Sequence, residues 1–407
     1  MAGPLDFLQP AHRADPYASF AALRESGPVA LPGVGVAVGD HATCAALLRN
    51  PRMSSERRRS RLYAAALAAG LVADPEQELA EAPFLFRDPP THTRLRGLVA
   101  KAFTRTVVAR LEPDVEAITG RLLDAARDRG SDLEVVGDLA YPLPVAVICA
   151  LLGVPAADHG VFAGWSRLLA SSLDPQLGPI DLERVAAAQR AAGEFRAYFR
   201  DLFAARRAEP AEDLVTGLVQ AEADGSRLSE QELLSTCILL LVAGHETTVS
   251  LIGNAVRALL VTDQWVQLAA DPELAGPAAE ETLRWDPPVQ LTGRSALAPV
   301  DVAGHALHTG ELALLVLGAA GRDPAVFPDP DRFDLARTPD DGALRHLAFS
   351  GGIHFCLGAP LARMEATVAL RALALRLREP RLVAAQYKPN LVLRGLASLT
   401  VTGAELA

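Results

Sequence analysis

Aromatic residues make up only 5% of this 407-residue chain, and methionine (3), tryptophan (3) and cysteine (4) are scarce. The cysteines, at 44, 149, 237 and 356, lie far apart, with no Cys-x-x-Cys and no framework spacing. That speaks against a disulfide scaffold and fits a reducing cytoplasm. An excess of positive charge is also missing. The net charge of −10 argues against non-specific nucleic-acid binding, which needs cations to displace counterions. Two basic runs occur, Arg57-Arg58-Arg59 with Arg61, and Arg94, Arg96, Lys101 and Arg105; the first reads as a solvated face. Long apolar runs are lacking too: Ile238–Ala243 and Leu312–Ala320 are far too short to cross a bilayer. Met1–Pro10 has neither the basic segment nor the apolar stretch of a secretory signal. No repeat, low-complexity tract or linker divides the chain. The expectation is one cytoplasmic domain over residues 1–407, with no membrane or nucleic-acid partner.

What is abundant is apolar, at 50% of residues, with many Ala, Leu and Arg, side chains that lose little rotamer freedom in a helix. Helical spacing runs from about 104 to 129, with Gly130 as its stop, and recurs at 142–152, 158–172 and 181–207. The clearest helix starts at Ser229, where Glu232 three residues on makes a capping box, and continues to about Leu260. Its centre, Cys237–Ala243, is apolar on every side, as a helix inside a large core must be. A short helix at 278–285 stops at Asp286-Pro287-Pro288. Period-two spacing predicts strands at 28–38, 289–296, 300–308, 311–317 and 391–402, and a last helix follows from Gly358 to about Leu377. The fold class is mainly α, a large helical body with small peripheral sheets. Gly33-x-Gly35 opens no helix and is not a dinucleotide loop.

Three segments carry chemistry. Phe349-Ser-Gly-Gly-Ile-His354-Phe-Cys356-Leu-Gly358 sets one cysteine in a glycine-rich loop at a helix start. Glycines let backbone N–H groups approach the sulfur, and the helix N-terminus favours thiolate over thiol. A metal-ligating thiolate, a nucleophile and a buried structural cysteine all fit this loop; zinc fits less well, for want of further ligands. Ala243-Gly244-His-Glu246-Thr247-Thr breaks the apolar helix with a glycine costing about 1 kcal/mol and an acid expensive to bury unpaired. A flat cofactor on the Ala-Gly face would compensate, with a threonine hydroxyl bonding back and opening a groove. Glu281-x-x-Arg284 puts opposite charges on one helix face, and with Arg332 it could form a buried three-membered ion pair.

Taken in order, these segments resemble a bacterial cytochrome P-450 over essentially the whole chain. The loop 349–358 is similar to the family's haem-ligand signature, 243–247 to its oxygen-binding groove, and Glu281-x-x-Arg284 with Pro328-Asp-Pro-Asp-Arg332-Phe333 to its Glu-x-x-Arg region. Asp88–Arg96 is similar to the segment that reaches the haem propionates. Departures are Ser350, where glycine is frequent, and Gly321, where asparagine is usual. The resemblance implies a cytochrome P-450 fold with haem b between the long central helix and the cysteine-loop helix, and Cys356 as its thiolate ligand. It implies haem contacts from Ala243, Gly244, Phe349 and Gly358, and propionate contacts from His92, Arg96, Arg294 and His354. Glu246 and Thr247 would deliver protons for oxygen activation, while Glu281, Arg284 and Arg332 would be structural. The implied pocket draws on Phe84, Phe86, the 168–182 region, Leu239, Val242, Ala243, Val289, Leu291, Thr292, Leu396 and Ala397. The implied activity is a monooxygenase inserting one atom of O₂ into an apolar small molecule, such as a polyketide, terpenoid, steroid or aromatic natural product. Electrons would come from a separate acidic ferredoxin or flavodoxin, since no fused reductase is expected; Arg and Lys near 94–105 and Arg363 would form its basic dock. Oxidative coupling, ring closure or peroxide-driven oxidation is the alternative. A haem sensor is disfavoured, because a carrier has no use for a proton relay.

Overall fold

The computed structural model describes residues 2–70, 74, 76, 78, 81–102, 104–130, 132–170, 181–223, 226–337 and 345–402. Helices dominate and the sheets are small, as the composition requires. Contacts divide the chain into two compact units of interleaved segments. One comprises Met1–Ala73, Thr119–Ala140 and Thr247–Ala407, the other Asp74–Ile118 and Tyr141–Glu246.

In the first unit a five-stranded sheet runs in the order Val29–Leu31, Gly35–Val38, Leu312–Val316, Leu291–Ala296, Met53–Ser54. Gly35 allows the close parallel pairing: a Cβ there would sit 2.0 Å from the Leu312 carbonyl oxygen. The strand expected over 300–308 is a hairpin, Val300–Val302 against His305–Leu307, turned at Ala303 and Gly304, both with positive φ. Arg381–Tyr387, which lacks clear alternation, pairs with Leu396–Thr402, and Leu133–Glu134 completes that sheet. Helix Ala359–Arg376 packs on helix Ala275–Trp285.

The second unit is built from helices, among them Thr91–Ala102, Pro142–Leu151, His159–Ala170 and Leu182–Ala208. The scarce aromatics concentrate here. Phe195, Phe199 and Phe203 recur every four residues along one helix face and are fully buried; the first two meet Phe162, whose ring also contacts Trp165 and Tyr198, and Phe203 packs on Phe199. Four-residue spacing places side chains one above another on a helix. The single helix expected over 104–129 is two, Arg105–Arg110 and Glu112–Asp128. Pro113 has no N–H to continue a helix and is tolerated only in a first turn, so a new helix starts beside it. Gly130, at φ +65°, follows as its stop.

The longest helix, Glu230–Val261, has 32 residues and extends about 48 Å at 1.5 Å per residue. Its capping box forms as read: the Ser229 N–H donates to Glu232 Oε2 at 2.9 Å, and the Glu232 N–H to Ser229 Oγ at 3.2 Å. It is long and apolar enough to cross a membrane, but 67% of its apolar window is buried inside the protein. The apolarity is that of a core helix. It is α-helical throughout, with no interruption at Gly244–Thr248.

The buried ion pair differs from expectation in its third member. Arg284 is fully buried and donates to both Glu281 oxygens, at 2.8 and 2.6 Å. The second cation on Glu281 is Arg337, at 3.2 Å with a buried side chain. Arg332 points outward, with its side chain 67% exposed and Asp334 at 3.5 Å, and only its carbonyl oxygen joins the cluster, accepting from Arg284 at 2.8 Å. Arg284 also donates to the carbonyls of Gly321 and Pro330 at 3.0 and 2.7 Å. These bonds satisfy the forked guanidinium in the interior. Gly321 is in place because a Cβ would lie 2.2 Å from the Arg284 carbonyl oxygen. Truncating a charged donor from a buried acid costs roughly 1.5–3 kcal/mol, whereas exposed positions cost within about 0.5 kcal/mol. In denaturant unfolding, R337A is therefore expected to lose the larger amount and R332A the smaller. Equal losses would return Arg332 to the ion pair.

Candidate active site

Cys356 stands apart from the other cysteines. Cys44, Cys149 and Cys237 are fully buried, and Cys356 is the one of the four that is partly exposed. Burial pushes the Cys149 thiol up to about 12, with Asp158 adding to the shift, and raises Cys44 and Cys237 as well. Those three are core residues, as their apolar neighbours suggested.

The loop that presents Cys356 is shaped by its backbone. Ser350 and Gly352 both lie in the left-handed region, at φ +63° and +64°. The glycine frequent at position 350 would take that conformation freely; serine takes it at a cost of about 1 kcal/mol. Gly352 has a second constraint, since a Cβ would come within 2.6 Å of the Leu48 carbonyl oxygen. A 3₁₀ turn, Gly352–His354, follows, and the Cys356 N–H donates to the Phe349 carbonyl at 3.0 Å, closing the loop. Helix Ala359–Arg376 then begins immediately, with Gly358 at its N-cap and Pro360 in the first turn. The sulfur is thus held at a helix N-terminus, where the dipole favours a thiolate.

Two of the four candidate propionate contacts meet within the first unit. His354 is buried, and its Nε2 lies 3.0 Å from Ser55 Oγ. The antiparallel register pairs Ser54 with Ser295, so its next step sets Ser55 beside Arg294. Arg294 is buried and donates to Thr292 Oγ1 at 3.1 Å and the Gly293 carbonyl at 2.8 Å. Ser55 gave no signal in the sequence. In the second unit His92 and Arg96 lie one turn apart on helix Thr91–Ala102, with the Phe84 ring 6.4 Å from the His92 ring. Burial first, and then the Arg96 cation, hold His92 below its ordinary pKa, with Asp88 opposing them. A neutral imidazole there is an N–H donor rather than a cation.

On the long helix Ala243 is exposed, and Leu239, Gly244 and Thr247 are half-buried; Leu239, Ala243 and Thr247 stand at four-residue spacing on one face. A Cβ at Gly244 would meet Ile148 of helix Pro142–Leu151 at 3.4 Å, ordinary van der Waals contact. Glu246 is buried, and His245 Nε2 lies 3.5 Å from its Oε1 without making a hydrogen bond. His245 is itself fully buried, with Nδ1 2.9 Å from both the Leu241 carbonyl and Ser166 Oγ, and the Tyr141 ring edge-on at 5.7 Å. His245 carried no signal in the sequence, since Ser166 and Tyr141 reach it from distant segments of the chain.

Several expected pocket residues are packed among buried neighbours. Val242 clusters with Leu169 and Ala170, Leu291 with Phe7, Phe20 and Val316, and Val289 leans on the sheet core around Val36 and Leu315. Leu396, 1% exposed, faces Gly253 at 3.7 Å from its Cβ position; the adjacent strand position, Ala397, is the exposed one. Phe84 is buried and Phe86 half-buried. Of the 168–182 region, residues 171–180 lie outside the described residues. Two of the expected docking cations are committed elsewhere: Arg94 to Glu232 and Arg363 to Glu280.

A cysteine loop at a helix start and a helix face opened by one alanine suit a flat, thiolate-bound cofactor. The comparisons identify the class. A family model described as Cytochrome P450 matches residues 277–378. The chain is 41% identical over 404 residues to the cytochrome P450 monooxygenase PikC of Streptomyces venezuelae, covering 95% of this chain and 91% of that one. It is 42% identical over 331 residues to the mycinamicin IV hydroxylase/epoxidase of Micromonospora griseorubida, with 80% of each covered. Among solved structures, ligand-free CYP164A2 of Mycobacterium smegmatis superposes with a TM-score of 0.87 at 47% identity over 98% of both chains. This chain belongs to the cytochrome P450 family. It is a P450 monooxygenase with a cysteine-ligated haem b, using O₂, a small-molecule substrate and redox partners.

Glu365, on the helix after the cysteine loop, is fully buried, and burial pushes its carboxyl from 4.5 up to about 8. The folded protein therefore holds this proton more tightly than the unfolded chain. That stabilisation is complete below about 4.5 and is lost as pH rises through about 8. Thermal midpoints measured across this interval should fall with rising pH in the wild type and more gently in E365Q. Parallel curves would mean that Glu365 is not the titrating group.

Proposed function

We propose that Cys356 is the thiolate ligand of the haem. The observation carrying this is that the one cysteine outside the core sits in the loop closed by its own N–H on Phe349, at the start of a helix. When bound, the haem supplies the activation of O₂ that lets one oxygen atom be inserted into a C–H or C=C bond. The protein's own residues bind, orient and protonate. Cys356 donates electron density from the helix N-terminus, with Phe349 and Leu357 limiting water at the sulfur. Arg294, His354, His92 and Arg96 would hold the haem propionates, with charge from the arginines and N–H donation from the histidines. Ala243 gives the ring a flat neighbour, and Gly358 lets the chain leave the sulfur without a side chain in the way.

Glu246 holds a proton at its carboxyl, and the Thr247 hydroxyl passes one on to the oxygen side of the site. The half-burial of Thr247 suits that role, because it can reach the site without being open to solvent. On the long helix Leu239 and Ala243 offer the substrate side a short apolar face, which suits a bulky apolar natural product. The relative named mycinamicin IV hydroxylase/epoxidase, with one of Bacillus subtilis named for polyketide biosynthesis, makes mycinamicin-like and other polyketide compounds the first to test. Hydroxylation or epoxidation is the favoured outcome. We place the enzyme in the cytoplasm as one domain over 1–407, served by a separate ferredoxin or flavodoxin.

Two measurements test this reading. The reduced, carbon monoxide-bound protein should show the strongly red-shifted Soret band of thiolate ligation, and C356H should move it to the histidine position. A wild-type band already at the histidine position would end the assignment of Cys356. In T247A, haem content should be unchanged while most electrons consumed leave as hydrogen peroxide instead of oxidised product. Full coupling in that variant, with a substrate that perturbs the ferric spectrum, would remove Thr247 from the proton path.

A further inference from the structure

Beside the cysteine loop lies a second charge cluster, separate from the Glu281 ion pair. Glu280 receives Arg363 Nε at 2.5 Å and its Nη2 at 3.1 Å, and lies 3.1 Å from His346 Nε2. Arg363 and His346 then converge on one ring. The Arg363 guanidinium stands 4.6 Å from the Phe349 ring centroid, and the His346 ring is tilted 5.8 Å from it. Phe349 is buried, touches Phe355 at 6.3 Å, and supplies the carbonyl that receives the Cys356 N–H. A continuous set of contacts therefore runs from Glu280 through two cationic or polar side chains to the backbone holding the sulfur.

The geometry points to Glu280 as a positioning residue that, through Arg363 and His346, fixes Phe349 against the cysteine loop and balances the positive charge beside the thiolate. This rests on the reading of Cys356 as the haem ligand. Burial alone would raise the Glu280 carboxyl, yet hydrogen bonds from His346 and Arg363, with their charges, hold it at about 2. It is therefore a fixed anion at any working pH. The Arg363 side chain is one-third exposed and those of Glu280 and His346 much less, so solvent screens this cluster only in part. Arginine over an aromatic face is a favourable cation–π arrangement, and its second function, neutralisation by Glu280, keeps the thiolate's surroundings close to neutral.

Charge in this position acts on the balance between ferric and ferrous haem. An unbalanced cation stabilises the more negative, reduced state and raises the reduction potential; an unbalanced anion lowers it. The test is a potentiometric titration of substrate-free holoenzyme carrying E280Q, R363Q or both. E280Q should shift the potential upward, R363Q downward, and the double variant should return towards the wild-type value. All three should keep the red-shifted reduced carbon monoxide band. If the loop is only loosened, both single variants shift in the same direction or not at all, and the proposal fails. Should E280Q not accumulate, R363Q alone decides: a lowered potential supports the proposal and an unchanged one overturns it. A histidine-type band in the wild type would instead show that the ligand assignment, not the charge balance, is wrong.

Discussion

Two adjacent carboxylates on one turn of helix Ala275–Trp285 hold much of what surrounds the cysteine. Glu281 faces inward and binds the guanidinium groups of Arg284 and Arg337; Glu280 lies beside it and binds Arg363 and His346. Neighbouring positions on a helix point about 100° apart, so a pair of acids reaches two surroundings without competing for one cation. The first ties down the irregular segment from Gly321 to Arg337 through carbonyl bonds that only a forked donor can make. The second reaches helix Ala359–Arg376 and the loop before it. Buried charge of this kind contributes little net stability when complete and costs several kcal/mol when half removed. Its use here is to specify geometry, in a region where the chain has little regular secondary structure to do so.

Local signals were legible where one segment determines its own shape. The capping box at Ser229, the Cys356 loop and the stop at Gly130 depend on residues within a few positions of one another. So did the choice of Cys356 over the other three thiols, since each of those has apolar neighbours in sequence as well as in space. What failed was partner choice. Arg332 and Arg337 both follow the Pro-Asp-Pro-Asp run, and composition cannot tell which returns to Glu281; the backbone between them decides, turning one guanidinium outward.

The substrate side follows from the same residues. A stripe of Leu239, Ala243 and Thr247 offers shape and one hydroxyl, with few polar groups to read a pattern of hydroxyls or carbonyls. A site of that kind discriminates weakly by a methylene, at about 1–3 kcal/mol, and selects mainly by volume. Larger discrimination would need buried polar partners, and within the stripe Thr247, the residue proposed for proton delivery, is the lone side chain that could supply one.

The chain's two compact units meet in sequence between Glu246 and Thr247, inside one uninterrupted helix. The acid belongs to one unit, together with His245, Ser166 and Tyr141, and the hydroxyl belongs to the other, together with the cysteine loop. Their separation does not depend on how the units are arranged, because adjacent helical residues are related by fixed rise and rotation. A proton path assembled from side chains on two bodies would lengthen whenever those bodies shifted. The proposed path, with Glu246 and Thr247 adjacent on one continuous helix, does not have that sensitivity, and it leaves the carboxyl buried and the hydroxyl half-open.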